Sequence, residues 1–291
     1  MHTKWMAALA VCGCVAGTAL ATEQYPSTTV SLGLLADADH GRSTALSAAL
    51  AASERWSFTL GGGHTDIGNA GATLAGDSFN ASLAWRPGHW SIEPGYSHWR
   101  DDDHFSSETP ELRVGYGHAG WRWQLIGERP GYALDYQLAV GPLAVQRHFA
   151  FRGTGIGAGA SYDGQRWSAS VSGTGYRYGD EITRLRAVLG APNLARFPRL
   201  ALLAQSFATL AESAADNRWS ASVERSFTRA SLHADGNWQT DALTGARAAS
   251  VSVGVEVALG AHASLDASAG NQHAEGLGDS AFVHLIVGFN W

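Results

Sequence analysis

A period-two alternation of side chains, repeated along most of the sequence, constrains this chain more than any other feature. In residues 29–36, 56–63 and 78–86, apolar side chains occupy one parity while Ser, Gly, Thr, Asn or a charged residue occupies the other. The pattern returns in residues 167–172 and 250–257. Successive side chains of a β-strand point to opposite faces of the sheet. Each segment therefore predicts a strand with one apolar and one polar face.

The composition of the polar face indicates which all-β architecture these strands build. In a soluble β-sandwich the solvent-facing side is rich in Lys, Glu and Arg. Here the polar face is mainly Ser, Gly and Thr with isolated charges, and the chain contains 35 Gly and 11 Trp. Small polar groups suit the crowded interior of a closed barrel whose apolar face meets lipid, where an unpaired sheet edge is not tolerated. The pattern predicts a closed antiparallel transmembrane β-barrel rather than a sandwich or a solenoid.

The connections between the predicted strands alternate between two kinds, which also favours a transmembrane barrel. Tight connections occur at 87–89 and 163–165, whereas longer polar ones occupy 66–76 and 100–110. Barrels in outer membranes have short periplasmic turns and longer external loops. We count fourteen strands, with a range from twelve to sixteen. The upper value applies if residues 131–152 form two more spanning strands instead of a hairpin that extends above the membrane.

One segment, residues 179–216, breaks the alternation. Ile182 and Leu185 begin a helical spacing of apolar residues, Pro198 interrupts it, and residues 200–211 form a second apolar run. We predict two short helices in an external insertion. The insertion either constricts the lumen, lies across the mouth, binds a partner, or packs only on itself or on lipid headgroups. A strand over 200–211 is a further alternative.

The N-terminus predicts export. Lys4 is followed by an uncharged run from Trp5 to Ala21 that ends in small residues. This arrangement indicates a signal peptide, residues 1–21, cleaved after Ala21, with the barrel occupying 22–291. A retained membrane helix and a lipoprotein processed at Cys12 or Cys14 fit the pattern less well. Because both cysteines lie in this segment, the mature chain is expected to have no disulfide.

The charges of the chain bear on its partners. The formal net charge is -6 and is spread thinly, so nucleic acid is not an expected partner, whereas outer-membrane lipid and lipopolysaccharide are. No motif implies a cofactor. The densest acidic cluster is Asp101, Asp102, Asp103 and His104 in a predicted external loop. Oxygen and imidazole ligands of this kind suit a divalent cation, but a solvated acidic loop explains them equally well.

No catalytic residues are predicted. The chain has 12 His and many Ser, but no spacing singles out a nucleophile, a base and an orienting partner. We therefore expect a protein that is not an enzyme, and keep a lipid hydrolase on the outer wall of the barrel as an alternative.

Two further sets of residues follow from the strand pattern. Charged residues on the polar face are predicted to face the lumen: Arg86, Glu93, Arg113, Arg122, Glu224, Asp235, Glu256 and Asp266. Tryptophans that open predicted strands are expected to lie at the membrane interface: Trp56, Trp90, Trp121, Trp167 and Trp219.

The last strand carries a resemblance to a known superfamily. The sequence AFVHLIVGFNW alternates cleanly and ends on an aromatic residue, with Val287, Phe289 and Trp291 on one parity. Together with the predicted signal peptide and the two-sided strands, it resembles a Gram-negative outer-membrane β-barrel. The resemblance implies that these three residues are an assembly signal for the barrel-assembly machinery, and that the protein resides in the outer membrane. It does not extend to a named family.

Three functions are compatible with this reading. A polar strand face with charges of both signs favours a porin-like passive channel for small solutes. The first alternative is a non-conducting structural, surface or envelope-assembly barrel that binds a partner through 179–216. The second is a barrel enzyme that acts on lipid.

Overall fold

The computed structural model describes residues 28–38, 41–69, 72–101, 105–140, 143–183, 214–275 and 278–291. Among them it contains fifteen β-strands, which form one closed antiparallel barrel of fourteen strand positions. The strands are β1 (Thr29–Asp37), β2 (Arg42–Ala51), β3 (Trp56–Asn69), β4 (Ala72–Trp85), β5 (Trp90–Asp101), β6 (Phe105–His118), β7 (Trp121–Glu128), β8 (Gly131–Val140), β9 (Leu143–Asp163), β10 (Trp167–Tyr178), β11 (Ala215–Ser226), β12 (Ala230–Asp241), β13 (Arg247–Ala258), β14 (Ala263–Ala274) and β15 (Gly278–Asn290).

Two of the strands, β7 and β8, share one position in the barrel. The neighbouring strand β6 pairs with β7 through residues 111–118 and with β8 through 105–108. On the other side, the 21-residue strand β9 pairs with both. The break falls at Pro130, which has no N–H for the ladder. Residues 131–152 are thus the hairpin extension, not two more spanning strands, and the predicted count of fourteen is confirmed.

The first and last strands close the cylinder. Along β1 and β15, Val30 lies opposite Phe289 and Leu34 opposite Leu285. The Trp291 backbone N–H adds a hydrogen bond of 3.1 Å to the Thr28 carbonyl oxygen. No strand edge of the sheet is therefore left unpaired where β1 meets β15, as a structure in hydrocarbon requires.

The apolar parity of each strand forms the outer surface. Large apolar side chains that a soluble protein would bury are exposed, such as Leu125 at 67%, Ile156 at 75% and Val283 at 60%. The polar parity forms the inner face, where hydroxyls bond across strands, for example Ser170 to Ser222 at 2.7 Å. The outer face thus has the apolar character that lipid demands.

The two ends of the barrel differ. At one end the strands extend as hairpins: β3 runs to Asn69 before β4 starts at Ala72, and β5 runs to Asp101 before β6 starts at Phe105, so the prediction of long loops over 66–76 and 100–110 was wrong. The other end holds Thr28, Trp291 and the turns that lead into β3, β5, β7, β10, β12 and β14, among them Ala119–Gly120 with φ of 51° and 80°. We call this the turn end, which corresponds to the periplasmic side of outer-membrane barrels, and the opposite end the loop end.

Aromatic rings surround much of the turn end. Trp56 stacks on Trp85 with ring centroids 5.8 Å apart, and Trp90 meets Tyr116 at 5.1 Å. Trp121 and Trp167 lie at this end as well, each as the first residue of its strand. Amphipathic rings at this height are those expected at a membrane interface.

Trp219 differs from the other four predicted interface tryptophans. It does not open a strand: it is the fifth residue of β11, opposite Trp238, towards the loop end. The expectation that it begins a strand was wrong because the alternation of Trp219 onwards continues a strand that already starts at Ala215.

Two predicted segments lie mostly outside the described residues. The signal peptide falls within residues 1–27, and the helical insertion largely within 184–213. At its described edges, residues 180–183 form one helical turn and β11 begins at Ala215. Among the described residues, no helix is long and apolar enough to span a membrane.

Candidate functional site

One arc of the inner face, formed by β4 to β7, carries arginines paired with glutamates. Arg113 contacts Glu111 at 3.0 Å and Glu93 at 3.8 Å. Arg86 donates to the Ser57 hydroxyl at 3.0 Å. Arg86 also interacts electrostatically with Glu93 and with Arg122. We call Arg86, Glu93, Glu111, Arg113 and Arg122 the arginine wall. Its guanidinium groups are largely offset by carboxylates on the same wall.

A second arc, formed by β11 to β14, carries mainly carboxylates. His233 lies between two of them, 3.4 Å from Asp266 and 3.8 Å from Asp235. Glu224 lies opposite His233 in the β11–β12 register, and Glu256 lies opposite Asp266 across β13 and β14. Asp266 interacts electrostatically with all of the other carboxylates of this arc. We call Glu224, His233, Asp235, Glu256 and Asp266 the acidic wall.

The two walls face each other across the barrel. Going round the sheet, strands β9 and β10 separate them on one side, and β15, β1, β2 and β3 on the other. The inner face of these separating strands is mostly Ser, Thr and Gly through the middle of the barrel, as in Ser31 paired with Ser47 at 2.7 Å. The exception is β15, where His284 and Ile286 occupy the inner parity. Charge in the middle of the lumen is thus concentrated in two opposed arcs, both nearer the turn end than the loop end.

A row of glycines on β9 accommodates large side chains of its neighbours. A Cβ on Gly153 would lie 2.6 Å from the ring of Tyr178, and one on Gly159 would lie 2.7 Å from Gln124. Gly155 and Gly157 face Tyr176 and Thr174 in the same way. The glycine-rich sequence of this strand is therefore explained by crowding at the inner face.

At the loop end, the inner face becomes apolar and buried. Phe105, Tyr132 and Phe151 form a continuous ring contact, with centroids 6.3 Å and 4.9 Å apart. We call the whole group the mouth cluster: Phe105, Tyr132, Leu134, Phe151, Ile182, Ala214, Ala242 and Leu243, with Trp99, Phe149 and Tyr178 against it. It contains both described edges of the predicted insertion and the turn after β12. These two edges and this turn therefore pack against the inner face at the mouth.

The turn that brings Leu243 into the mouth cluster is held by one buried carboxylate. Asp241 Oδ1 accepts hydrogen bonds from the Leu243 N–H at 3.0 Å and the Thr244 hydroxyl at 2.6 Å. The Thr244 N–H donates to the same oxygen. Gly245 completes the turn with φ of 74°.

Seven of the eight predicted lumen residues lie on the inner parity of described strands, and Arg86 follows directly after the end of β4. The arginine and acidic walls contain the whole predicted set. Sequence reasoning missed Glu111 and His233, although each shares the parity of its predicted neighbour, Arg113 or Asp235. Parity alone would have identified both.

Of the predicted metal cluster, the structure describes one residue, Asp101. Asp101 is only 2% exposed and accepts a 2.6 Å hydrogen bond from the Phe105 N–H, so its carboxylate joins the end of β5 to the start of β6. Asp102, Asp103 and His104 lie outside the described residues. Among the residues that the structure describes, no group of three or more acidic, His or Cys side chains is arranged to hold a metal ion.

Three histidine–aspartate pairs join neighbouring strands on the outer parity near the loop end. Each has an Nδ1 to Oδ1 distance of 2.8 Å: His64 with Asp77, His148 with Asp135, and His273 with Asp279. At His64, the second ring nitrogen lies 3.3 Å from Asp66. Carboxylates therefore face both nitrogens of this imidazole, and neither is directed at a hydroxyl nucleophile.

Comparison with known proteins identifies the fold class. No protein-family model matches the chain, and no curated protein matches it. Solved structures resemble it: the loop L8 deletion mutant of OmpT, an outer membrane protein of Vibrio cholerae, aligns with a TM-score of 0.51 at 10% identity, covering 91% of this chain and 98% of that one. The CymD monoaromatic hydrocarbon channel aligns with a TM-score of 0.53 at 8% identity, covering 94% and 92%. The chain has the fold of the outer-membrane β-barrel proteins.

Proposed function

We propose that this protein is a porin-like passive channel for small solutes. The observation that carries the proposal is the partial exposure of charged side chains on the inner face of a closed barrel. The side chains of Arg113 and Glu93 are 33% and 29% exposed, and that of Asp235 is 39% exposed. Charges withdrawn from water cost several kcal/mol each, so a lumen with this lining favours water over packed side chains.

The size of the barrel supports the same proposal. Barrels of about eight strands are filled by their own side chains, whereas those of about 16 to 18 leave an aqueous channel. Fourteen strand positions are closer to the second group. One structural neighbour is named as a hydrocarbon channel, and at 8% identity that likeness supports only a fold on which a channel can be built.

Conductance of refolded protein in planar bilayers tests the channel. We expect stepwise current after insertion, and none from the same preparation after heat denaturation. A barrel that inserts, shows heat-modifiable gel mobility and carries no current would overturn the proposal.

We propose residence in the bacterial outer membrane, after export through residues 1–21, in contact with lipopolysaccharide and assembled by the barrel-assembly machinery. Fractionation and N-terminal sequencing test this proposal. The mature chain should begin at Thr22 in the outer-membrane fraction, and recovery with soluble periplasmic protein would contradict it.

The insertion offers a second candidate function, a partner-binding barrel. The burial of Ile182 at 5% and Ala214 at 0% exposure in the mouth cluster favours a constriction of the mouth instead. Deleting residues 184–213 distinguishes a constriction of the mouth from a partner-binding site. A constriction predicts higher conductance, whereas a partner site predicts unchanged conductance and a lost interaction.

A lipid-directed enzyme is the remaining candidate, and the outer His–Asp pairs are where it can be tested, although carboxylates face both ring nitrogens of His64. Incubating the refolded protein with phospholipid and lipid A vesicles tests this function. Turnover that is lost in His64→Gln would support an enzyme, and no turnover of either lipid would end the hypothesis.

A further inference from the structure

The two charged walls of the lumen are not equivalent, and their difference has a consequence for transport. On the arginine wall, Arg113 is held by Glu111 and Glu93 within 3.0 Å and 3.8 Å. Arg86 donates to the Ser57 hydroxyl and interacts electrostatically with Glu93. The wall is mixed in sign, so its field largely cancels at a distance.

Among the residues that the structure describes, no arginine forms an ion pair with a carboxylate of the acidic wall. Its contacts with His233, at 3.4 Å and 3.8 Å, involve two of its four carboxylates. The guanidinium of Arg218 on β11 lies further towards the loop end, 5.9 Å from the ring centre of Tyr176. The field of this wall therefore remains negative across the lumen.

The like-charged neighbours within the acidic wall reinforce this conclusion. Glu256 lies directly opposite Asp266 on adjacent strands. Like charges in that arrangement destabilise a sheet. In a narrow water-filled space between low-dielectric walls, mobile counter-ions offset such repulsion and are concentrated there. The charge of the arginine wall is largely offset by its own carboxylates, whereas the acidic wall keeps its negative charge. A lumen with these two walls selects ions by the sign of their charge and needs no fixed binding site.

We propose that the channel passes small cations in preference to anions, and that the acidic wall is its selectivity determinant. This inference rests on the proposed channel function. A charged cleft enriches counter-ions by about tenfold or more at low ionic strength. We therefore expect a cation-to-anion permeability ratio on the order of ten in dilute potassium chloride, with a fall at high salt because screening shortens the field.

The test measures the reversal potential of single channels under a potassium chloride gradient. The neutralised variant removes the four carboxylates of the acidic wall: Glu224→Gln, Asp235→Asn, Glu256→Gln and Asp266→Asn. Its permeability ratio should fall towards one while current persists. The matched control removes four carboxylates from the outer parity: Asp66→Asn, Asp77→Asn, Asp135→Asn and Asp279→Asn. The control should keep the wild-type ratio.

The outcomes separate this inference from the channel proposal. A conducting wild-type protein with a ratio of one or below overturns the selectivity while leaving the channel intact. So does a neutralised variant whose ratio equals that of the wild type. A protein without current overturns both. If the fourfold variant does not assemble, Glu224→Gln with Asp235→Asn and Glu256→Gln with Asp266→Asn are measured separately, and each should lower the ratio part of the way.

Discussion

The ring of Tyr176 lies over Gly155, so close that a Cβ on the glycine would be 2.7 Å from Tyr176 Cε1. The ring cannot easily move aside, because its hydroxyl donates a 2.6 Å hydrogen bond to Glu128. The guanidinium of Arg218 lies over the same ring. Because the Tyr176 side chain fills this space, position 155 of β9 accommodates only glycine.

Replacing Gly155 with Val should destabilise the barrel. Overpacking of a filled site costs about 1–3 kcal/mol, and we expect a loss of this size in the free energy of unfolding, measured by urea titration in lipid vesicles. Gly175→Val on β10 is the matched control, because a Cβ there meets nothing within 4 Å. Equal stability of the two variants would contradict the crowding explanation.

Replacing Arg113 with Gln should raise the cation preference of the channel. The change removes the guanidinium that Glu111 and Glu93 share, so the formal charge of the arginine wall, with three arginines and two glutamates, falls from +1 to 0. A unit charge at 4 Å is worth about 1 kcal/mol in water, which corresponds to a change of up to about fivefold in the permeability ratio. The measurement is again the reversal potential. Arg152→Gln, which loses the Glu108 contact at 3.7 Å on the outer parity, should leave the ratio unchanged, and a fall in Arg113→Gln would refute the prediction.

Replacing Asp241 with Ala should loosen the turn after β12. The change leaves the Leu243 N–H and the Thr244 hydroxyl without their acceptor. Hydrogen bonds to a charged group contribute about 1.5–3 kcal/mol, so the turn should be cut faster by protease added from the loop end. Thr244→Ala removes only the hydroxyl and should have a smaller effect. Cleavage of both variants at the wild-type rate would show that the carboxylate does not hold the turn.

Deleting residues 289–291 should first of all impair assembly of the barrel in the membrane. Phe289 lies opposite both Val30 and Ala263, so its loss shortens the closing ladder on both sides. The fraction of heat-modifiable, membrane-inserted protein in cells is the measurement, and we expect it to fall several-fold. Normal insertion of the shortened chain would argue against the assembly role.

A point substitution distinguishes an assembly signal from a general need for aromatic residues at the turn end. Phe289→Ala and Phe227→Ala remove the same side chain from two positions that are each 50% exposed. Only the first lies in the closing strand, so only the first should lower the inserted fraction. Equal defects would indicate interface anchoring by both rings.

Much of the strand arrangement could be predicted from the sequence because two-sided strands carry a local signal. Trp56, Phe58 and Leu60 face one side in the sequence pattern and are exposed together in the structure. The boundary between β7 and β8 was harder to place. The chain continues in the same direction past Pro130, so the two strands follow one another at a single position of the barrel. Trp219 was misplaced for a related reason: an alternating pattern shows that a strand is present but not where it begins.

The sequence pattern could predict which individual residues of the two walls face inward, but it did not predict that they form two opposed groups. Parity placed Arg113 and Asp266 on the inner face, since side-chain direction has a period of two in any strand. The mouth cluster had no such signal. Phe105 and Leu243 are far apart in the sequence, lie on different connections, and belong to the same buried group only because the sheet curves.

The sequence by itself determined that this chain forms two-faced strands, that the apolar face is the outer one, and that the alternation of the last strand continues to Phe289. These properties depend on residues one or two positions apart in the chain, for which the backbone geometry of a strand alone sets the direction of each side chain. Only the tertiary structure decided which strands oppose each other across the lumen, and hence that arginine–glutamate pairs face a wall of carboxylates. Opposition of that kind arises from closure of the sheet, which joins β1 to β15 and relates residues by their position around the cylinder rather than along the chain.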